Sequence, residues 1–211
     1  MYAVRGTCTP IECVIHSARA QILGRSGRLE EARAAAQAER DLADQLDRPD
    51  LVSAAEYDLA VVALTRKRWD EAAELTGSAL AAGGRFSRPL ARLTRAEALA
   101  RGGRADEAEQ EMRAATLEPV TPGDFPATLV ARLTRVQGLI ALARGDRELA
   151  ERRLEEAAAA WRRHASPALD GEAYLANLVD FGRIGIVGLV EPVYELQHVE
   201  SELEALRATV A

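Results

Sequence analysis

Gly27-Arg-Leu-Glu-Glu-Ala32 is the stretch on which the fold turns, because it returns as Lys67-Arg-Trp-Asp-Glu-Ala72, Gly103-Arg-Ala-Asp-Glu-Ala108 and Gly145-Asp-Arg-Glu-Leu-Ala150. Each copy reads as a turn followed by a helix start, with acidic residues in the first helical turn, where the helix dipole favours negative charge. A helical run precedes and follows every copy, so the repeating unit is a helical hairpin. Measured between the closing alanines, the spacings are 40, 36 and 42 residues, a unit of 34 with 6, 2 and 8 added. The additions fall between hairpins, at Asp47 to Asp50, Gly83 to Ser87 and Glu118 to Asp124, where Pro and Gly gather.

Small residues keep register with this phrase. Twelve positions before the anchors stand Ala20, Ala60, Ala96 and Gly138; seven after stand Glu39, Ala79, Ala115 and Ala157. With the anchors Ala32, Ala72, Ala108 and Ala150, eleven of the twelve sites are Ala or Gly. Such sites let helix backbones cross closely, within a hairpin and between neighbouring ones.

Together the small positions and the turn phrase resemble the tetratricopeptide repeat, from residue 13 to about 164. At the large position near the start of each first helix the chain departs from that family, with His16, Glu56, Arg92 and Thr134 in place of an aromatic. The resemblance implies an all-α fold, a right-handed superhelix of about four hairpins with further helices at the C-terminus. The Ala- and Arg-rich units also look like the repeat regions of large bacterial transcriptional regulators of the maltose-regulator and LuxR type.

Composition agrees with an all-α chain. Ala, Leu, Glu and Arg, all strong helix formers, supply 116 of the 211 residues. A net charge of −6 argues against binding nucleic acid through its phosphates. There is no run near the roughly 20 apolar residues that span a bilayer, and the N-terminus lacks a signal-peptide core, so a cytoplasmic location is expected.

Punctuation sets the expected helices. Thr9-Pro10-Ile11-Glu12 offers an N-cap, a Pro at the first helical position and a capping-box Glu. Helices are predicted at about 10–25, 28–46, 51–66, 70–82, 88–101, 104–117, 126–144 and 146–164, with another from Ser166-Pro167 to about 181. These make up a repeat domain over 1–181. The remainder, 182–211, is predicted as an apolar extended segment over the glycine-punctuated residues 182–190, followed by a last helix opening at Glu191-Pro192. In that helix Leu196, Val199, Leu203, Leu206 and Val210 form a heptad seam, read either as a cap over the end of the repeats or as a homodimer contact.

Catalytic chemistry finds little support. The three histidines, His16, His164 and His198, lie on separate elements, and no nucleophile motif is present. Cys8, Cys13 and His16 cluster in sequence, but zinc sites usually need a fourth ligand, so neither metal nor cofactor is expected. The glycines at 182, 185 and 188 do not form a phosphate loop, lacking the Lys-Ser/Thr that closes one.

What remains is the concave face that stacked hairpins create. Carried over position by position, the family's groove residues are Ser17, Gln21 and Arg25; Tyr57, Val61 and Leu64; Leu93, Glu97 and Arg101; and Arg132, Arg135 and Leu139. Apolar anchors mixed with arginines suit an amphipathic or acidic peptide, and the same arginines could equally do no more than solvate the face. One family variant clamps a partner's terminal carboxylates with Lys and Asn; Ser17, Gln21 and Asp58 stand at those places here. The expectation is a non-enzymatic scaffold for a protein or peptide partner, without direct contact to nucleic acid or membrane. The alternative is a small-ligand sensor with its site around Tyr57, Arg101 and Arg135. If the groove is the site, reversing Arg101 and Arg135 to Glu is expected to leave helicity and melting temperature nearly intact while weakening partner binding.

Overall fold

The computed structural model describes residues 10–83, 88–119, 126–169 and 181–209. Among these residues there are nine helices and no strand. They are α1 (Pro10–Arg25), α2 (Leu29–Gln45), α3 (Pro49–Thr65), α4 (Trp69–Ala82), α5 (Arg88–Arg101), α6 (Ala105–Leu117), α7 (Pro126–Ala143), α8 (Arg147–Leu169) and α9 (Phe181–Ala208). Consecutive helices pair as hairpins α1–α2, α3–α4, α5–α6 and α7–α8. First helices also meet, α1 with α3 and α5 with α7, while α9 packs on α8. Among the described residues, no helix is long and apolar enough to cross a membrane.

The recurring phrase works through its backbone. Gly27, Gly103 and Gly145 hold φ of 77°, 79° and 81°, a left-handed conformation that costs glycine little. In the Lys67 copy the lysine itself takes φ 59°, and Asp47 between α2 and α3 takes φ 51°. The next residue in each turn donates its N–H back into the preceding helix: Arg28 to Leu23 O, Arg48 to Ala43 O, Arg68 to Ala63 O, Arg104 to Leu99 O and Asp146 to Ala141 O, at 2.8–3.1 Å. This is the Schellman closure of a helix C-terminus. No side chain caps the start of α2, α4 or α6. Instead Arg28 holds Glu31 through two bonds of 2.7 and 2.5 Å, and Arg104 holds Glu107 through two of 2.7 and 2.6 Å. In the fourth copy Asp146 does cap, accepting the Leu149 N–H at 3.0 Å.

All twelve register sites are buried. At Gly138 the reason for smallness is explicit: a Cβ there would stand 3.0 Å from Leu154 Cγ and 3.3 Å from the Ala150 carbonyl oxygen. Around these crossings lie core clusters of alanine with leucine and valine, Leu93, Leu99, Val136, Leu139 and Ile140 in the middle and Leu23, Leu59 and Val62 nearer α1. At the C-terminal end the cluster is larger in side chain, with Trp161 and Leu154 fully buried.

Two expectations give way. Residues 182–190 are not extended but form the start of α9, a helix that continues through Pro192. An extended segment needs partners for every N–H and C=O, whereas a helix supplies its own. Three glycines weaken that helix by roughly 1 kcal/mol each without forbidding it. Likewise Ser166-Pro167 does not open a new helix, because α8 runs on to Leu169. The remainder of that expected helix, from 170 to 180, lies outside the described residues, as do Cys8, Thr9 and Val210.

Candidate binding groove

The face carried by α1, α3, α5 and α7 divides into two chemically different halves. In the α1–α3 half, Ser17 Oγ donates to Asp58 Oδ2 at 2.6 Å and Gln21 Nε2 donates to Asp58 Oδ1 at 3.3 Å. The carboxyl of Glu39 comes in from α2 against the same aspartate. Glu39 occupies the place where the other hairpins bury Ala79, Ala115 and Ala157, and it is itself only 2% exposed. One of its oxygens has no hydrogen-bond partner. Burial, reinforced by the neighbouring Asp58 charge, pushes the Glu39 carboxyl up to about 8. Asp58 is raised to about 6, burial outweighing its bonds from Ser17 and Gln21. Arg25, Val61 and Leu64 are half-buried, and the Tyr57 hydroxyl meets Thr94 Oγ1 at 3.3 Å.

The α5–α7 half is an ionic network roofed by α9. Arg135, 4% exposed, lies at its centre. Its Nη1 donates to Glu195 Oε2 at 3.0 Å, its Nη2 to Glu202 Oε1 at 2.7 Å, and its Nε to Glu202 Oε2 at 3.1 Å. Nη2 also lies 3.1 Å from Glu97 Oε1. Arg101 bonds Glu97 at 2.9 Å, pairs with Glu202, and stands over the Trp69 ring, 5.4 Å from its centroid. Arg132 closes the set with Glu195 at 2.7 Å. Three guanidinium groups thus face three carboxylates, so no net charge is buried. Burial alone would raise the Glu97 carboxyl, but Arg135 and Arg101 pull it down to about 2. Burial works against the charge on Arg135 as well, and Glu97, Glu202 and Glu195 overcome it, raising its pKa well above the ordinary value.

The apolar seam of α9 lies beside these glutamates and faces α8. Leu196, Val199, Leu203 and Leu206 are buried in one cluster with Leu154, Ala157, Ala158 and Trp161 of α8. Arg147 secures the end of the helix by donating to Leu206 O at 2.6 Å. Tyr194 stacks on His198, ring centroids 4.1 Å apart, and burial raises its phenol against a hydrogen bond from Thr65 on α3.

Of the twelve groove positions expected, Glu97, Arg101, Arg132 and Arg135 come together in the network, and Ser17 and Gln21 meet around Asp58. Leu93 and Leu139 do not line the face; both belong to the central core. Arg135 is shielded from solvent, and Arg101 and Arg132, still partly exposed, are likewise held by Glu202 and Glu195 in this conformation. Reversal of Arg135 to Glu can therefore no longer be expected to spare the fold. The two glutamates, seven residues apart on α9, were visible in the sequence as a heptad pair flanking an apolar seam. What they face could not be read there. Cys13 is buried beside Leu42 and Ala43, and among the described residues no group of His, Cys, Asp or Glu has the arrangement to hold a metal. Surface clefts of 430 Å³ beside Arg162 and Glu204 and of 280 Å³ beside Met112 and Arg144 lie away from this network. No family model and no curated protein matches the chain.

Proposed function

We propose that this chain is a non-catalytic helical-repeat scaffold of tetratricopeptide type, whose first-helix face takes a protein partner. One observation carries the reading: Arg101, Arg132 and Arg135 grip two glutamates one heptad apart on a helix. A face built in that way recognises an acidic amphipathic helix, with bidentate guanidinium–carboxylate bonds setting its register. In this conformation α9 supplies that helix from within the chain, so an external partner competes with it. The likeness to repeat regions of bacterial transcriptional regulators supports placing the scaffold in signal reception, with the partner helix as the signal.

The test is a fluorescence-anisotropy titration of the full chain with a labelled peptide of residues 193–208. Wild type binds weakly because its own α9 competes. Substituting Glu195 and Glu202 together with Gln is expected to tighten peptide binding by about tenfold or more, equivalent to some 1.4 kcal/mol. If peptide binds neither protein, or binds both alike, the arginine face is not a helix-binding site.

A further inference from the structure

Among the described residues, helix α1 keeps one face without a packing partner. Ile11, Val14, Ile15 and Ile22 are 70, 64, 59 and 56% exposed, and no other helix among the described residues shows as many large exposed hydrophobics. Ala18, also exposed, lies between them. Single exposed apolar residues are ordinary, but a continuous stripe of this kind marks an interaction surface. Its spacing is informative: 11, 15, 18 and 22 step by four, three and four, the seam of a short coiled coil.

We propose that this face pairs two copies of the chain, α1 against α1, antiparallel about a two-fold axis. The stripe complements itself in that orientation. Ile11 then lies level with the partner's Ile22, and Ile15 with the partner's Ala18, a large residue meeting a small one at the centre where the helices approach most closely. Charge agrees. Glu12 and Arg19 are both exposed, seven residues apart on the same flank of the stripe. In an antiparallel pair that flank faces its own copy, so each Glu12 comes opposite the partner's Arg19 and two ion pairs bracket the seam. A parallel pair would carry the two copies' Glu12–Arg19 flanks to opposite sides of the seam, where no such ion pairs form. The heptad seam of α9, which the sequence offered for dimerisation, is spent within the chain on Trp161 and Leu154. Among the described residues nothing covers the seam of α1. Four large aliphatics on each side make a small interface, so the dimer is expected to be weak and to form at micromolar concentration.

Sedimentation velocity of the full chain, from about 1 to 100 µM, reads the result directly. Wild type is expected to shift from monomer to dimer mass across the range. Ile15→Glu, at an exposed position, should raise the dimer dissociation constant more than about tenfold while leaving helicity and Tm unchanged. Glu12→Arg alone should weaken the dimer, and Glu12→Arg with Arg19→Glu should restore it. A wild-type chain that stays monomeric throughout overturns the proposal, whatever else binds the face. So does a dimer indifferent to Ile15→Glu, which places the contact elsewhere. Failure of the double reversal to restore what Glu12→Arg removes overturns the antiparallel register.

Discussion

At the scale of single residues, the recurring phrase shows two ways of making the same turn. Gly27, Gly103 and Gly145 adopt a left-handed conformation at little cost, whereas Lys67 and Asp47 adopt it against the clash of a Cβ, about 1 kcal/mol or more each. After Gly27, Lys67 and Gly103 the following arginine serves as both Schellman donor and clamp on a first-turn glutamate. Exposed ion pairs of this kind contribute little individually, so the phrase is legible because of geometry, not because of salt-bridge strength. Gly138 makes the sharpest residue-level prediction. Alanine would gain about 1 kcal/mol in helix propensity, but its Cβ would press on Leu154 at 3.0 Å and on the Ala150 carbonyl at 3.3 Å. Overpacking of this kind costs about 1–3 kcal/mol. Gly138→Ala is therefore expected to lower the urea midpoint, whereas Gly77→Ala, where the added Cβ meets only the flexible Arg95 head, should not.

At the scale of elements, α9 decides how the first-helix face is used. Its apolar seam covers Trp161 and Leu154, and its acidic flank neutralises three arginines, so one helix performs both tasks with adjoining faces. The seam was legible as a 3, 4, 3, 4 pattern, but the sequence left open whether it covered the repeats or a second copy. Residues 182–190 misled because glycine and β-branched residues read as extended by propensity, while internal hydrogen bonding favours a helix when no strand partner is present. Arg135 is the element-level test. Removing one side of a buried ion network leaves the other charges without partners at a cost of about 3–5 kcal/mol. Arg135→Glu is expected to reach or exceed that loss in chemical denaturation. Arg113→Glu, at a solvent-facing i, i+4 pair with Glu109, should stay within about 1 kcal/mol of wild type.

At the scale of the whole molecule, the two halves of the first-helix face respond oppositely to pH. Glu39 and Asp58 have folded pKa values raised to about 8 and about 6. Above the ordinary carboxylate range the unfolded chain releases those protons while the folded chain retains them. Their contribution is therefore fully present only below about pH 4 and lost progressively as pH rises toward 8. Glu97 is depressed to about 2, so its contribution is present above pH 4–5 and lost as pH falls toward 2. The melting temperature should accordingly peak near pH 4 and fall on both sides. Glu39→Gln, which removes the raised acid but keeps its size, should flatten the alkaline limb and raise Tm at pH 8 while leaving the acid limb in place. An unchanged alkaline limb in that variant would show that the Glu39–Asp58 pair does not control it.

The sequence by itself determined the all-helical class, the hairpin unit and the sites of close crossing. These are local or periodic properties: turn chemistry, helix propensity and the need for small residues where backbones meet. Tertiary structure decided which charges face each other. The sequence shows Arg101, Arg132 and Arg135 as candidate contacts for an acidic partner, and places Glu195 and Glu202 only beside the apolar seam of the last helix. Only the packing of α9, some 60 to 100 residues further along the chain, brings them together. Glu39 is a similar case, an apparent lapse in a row of alanines until Asp58 is placed beside it. Pairings of this kind depend on the angle at which one helix crosses another, and a one-dimensional pattern does not carry that angle.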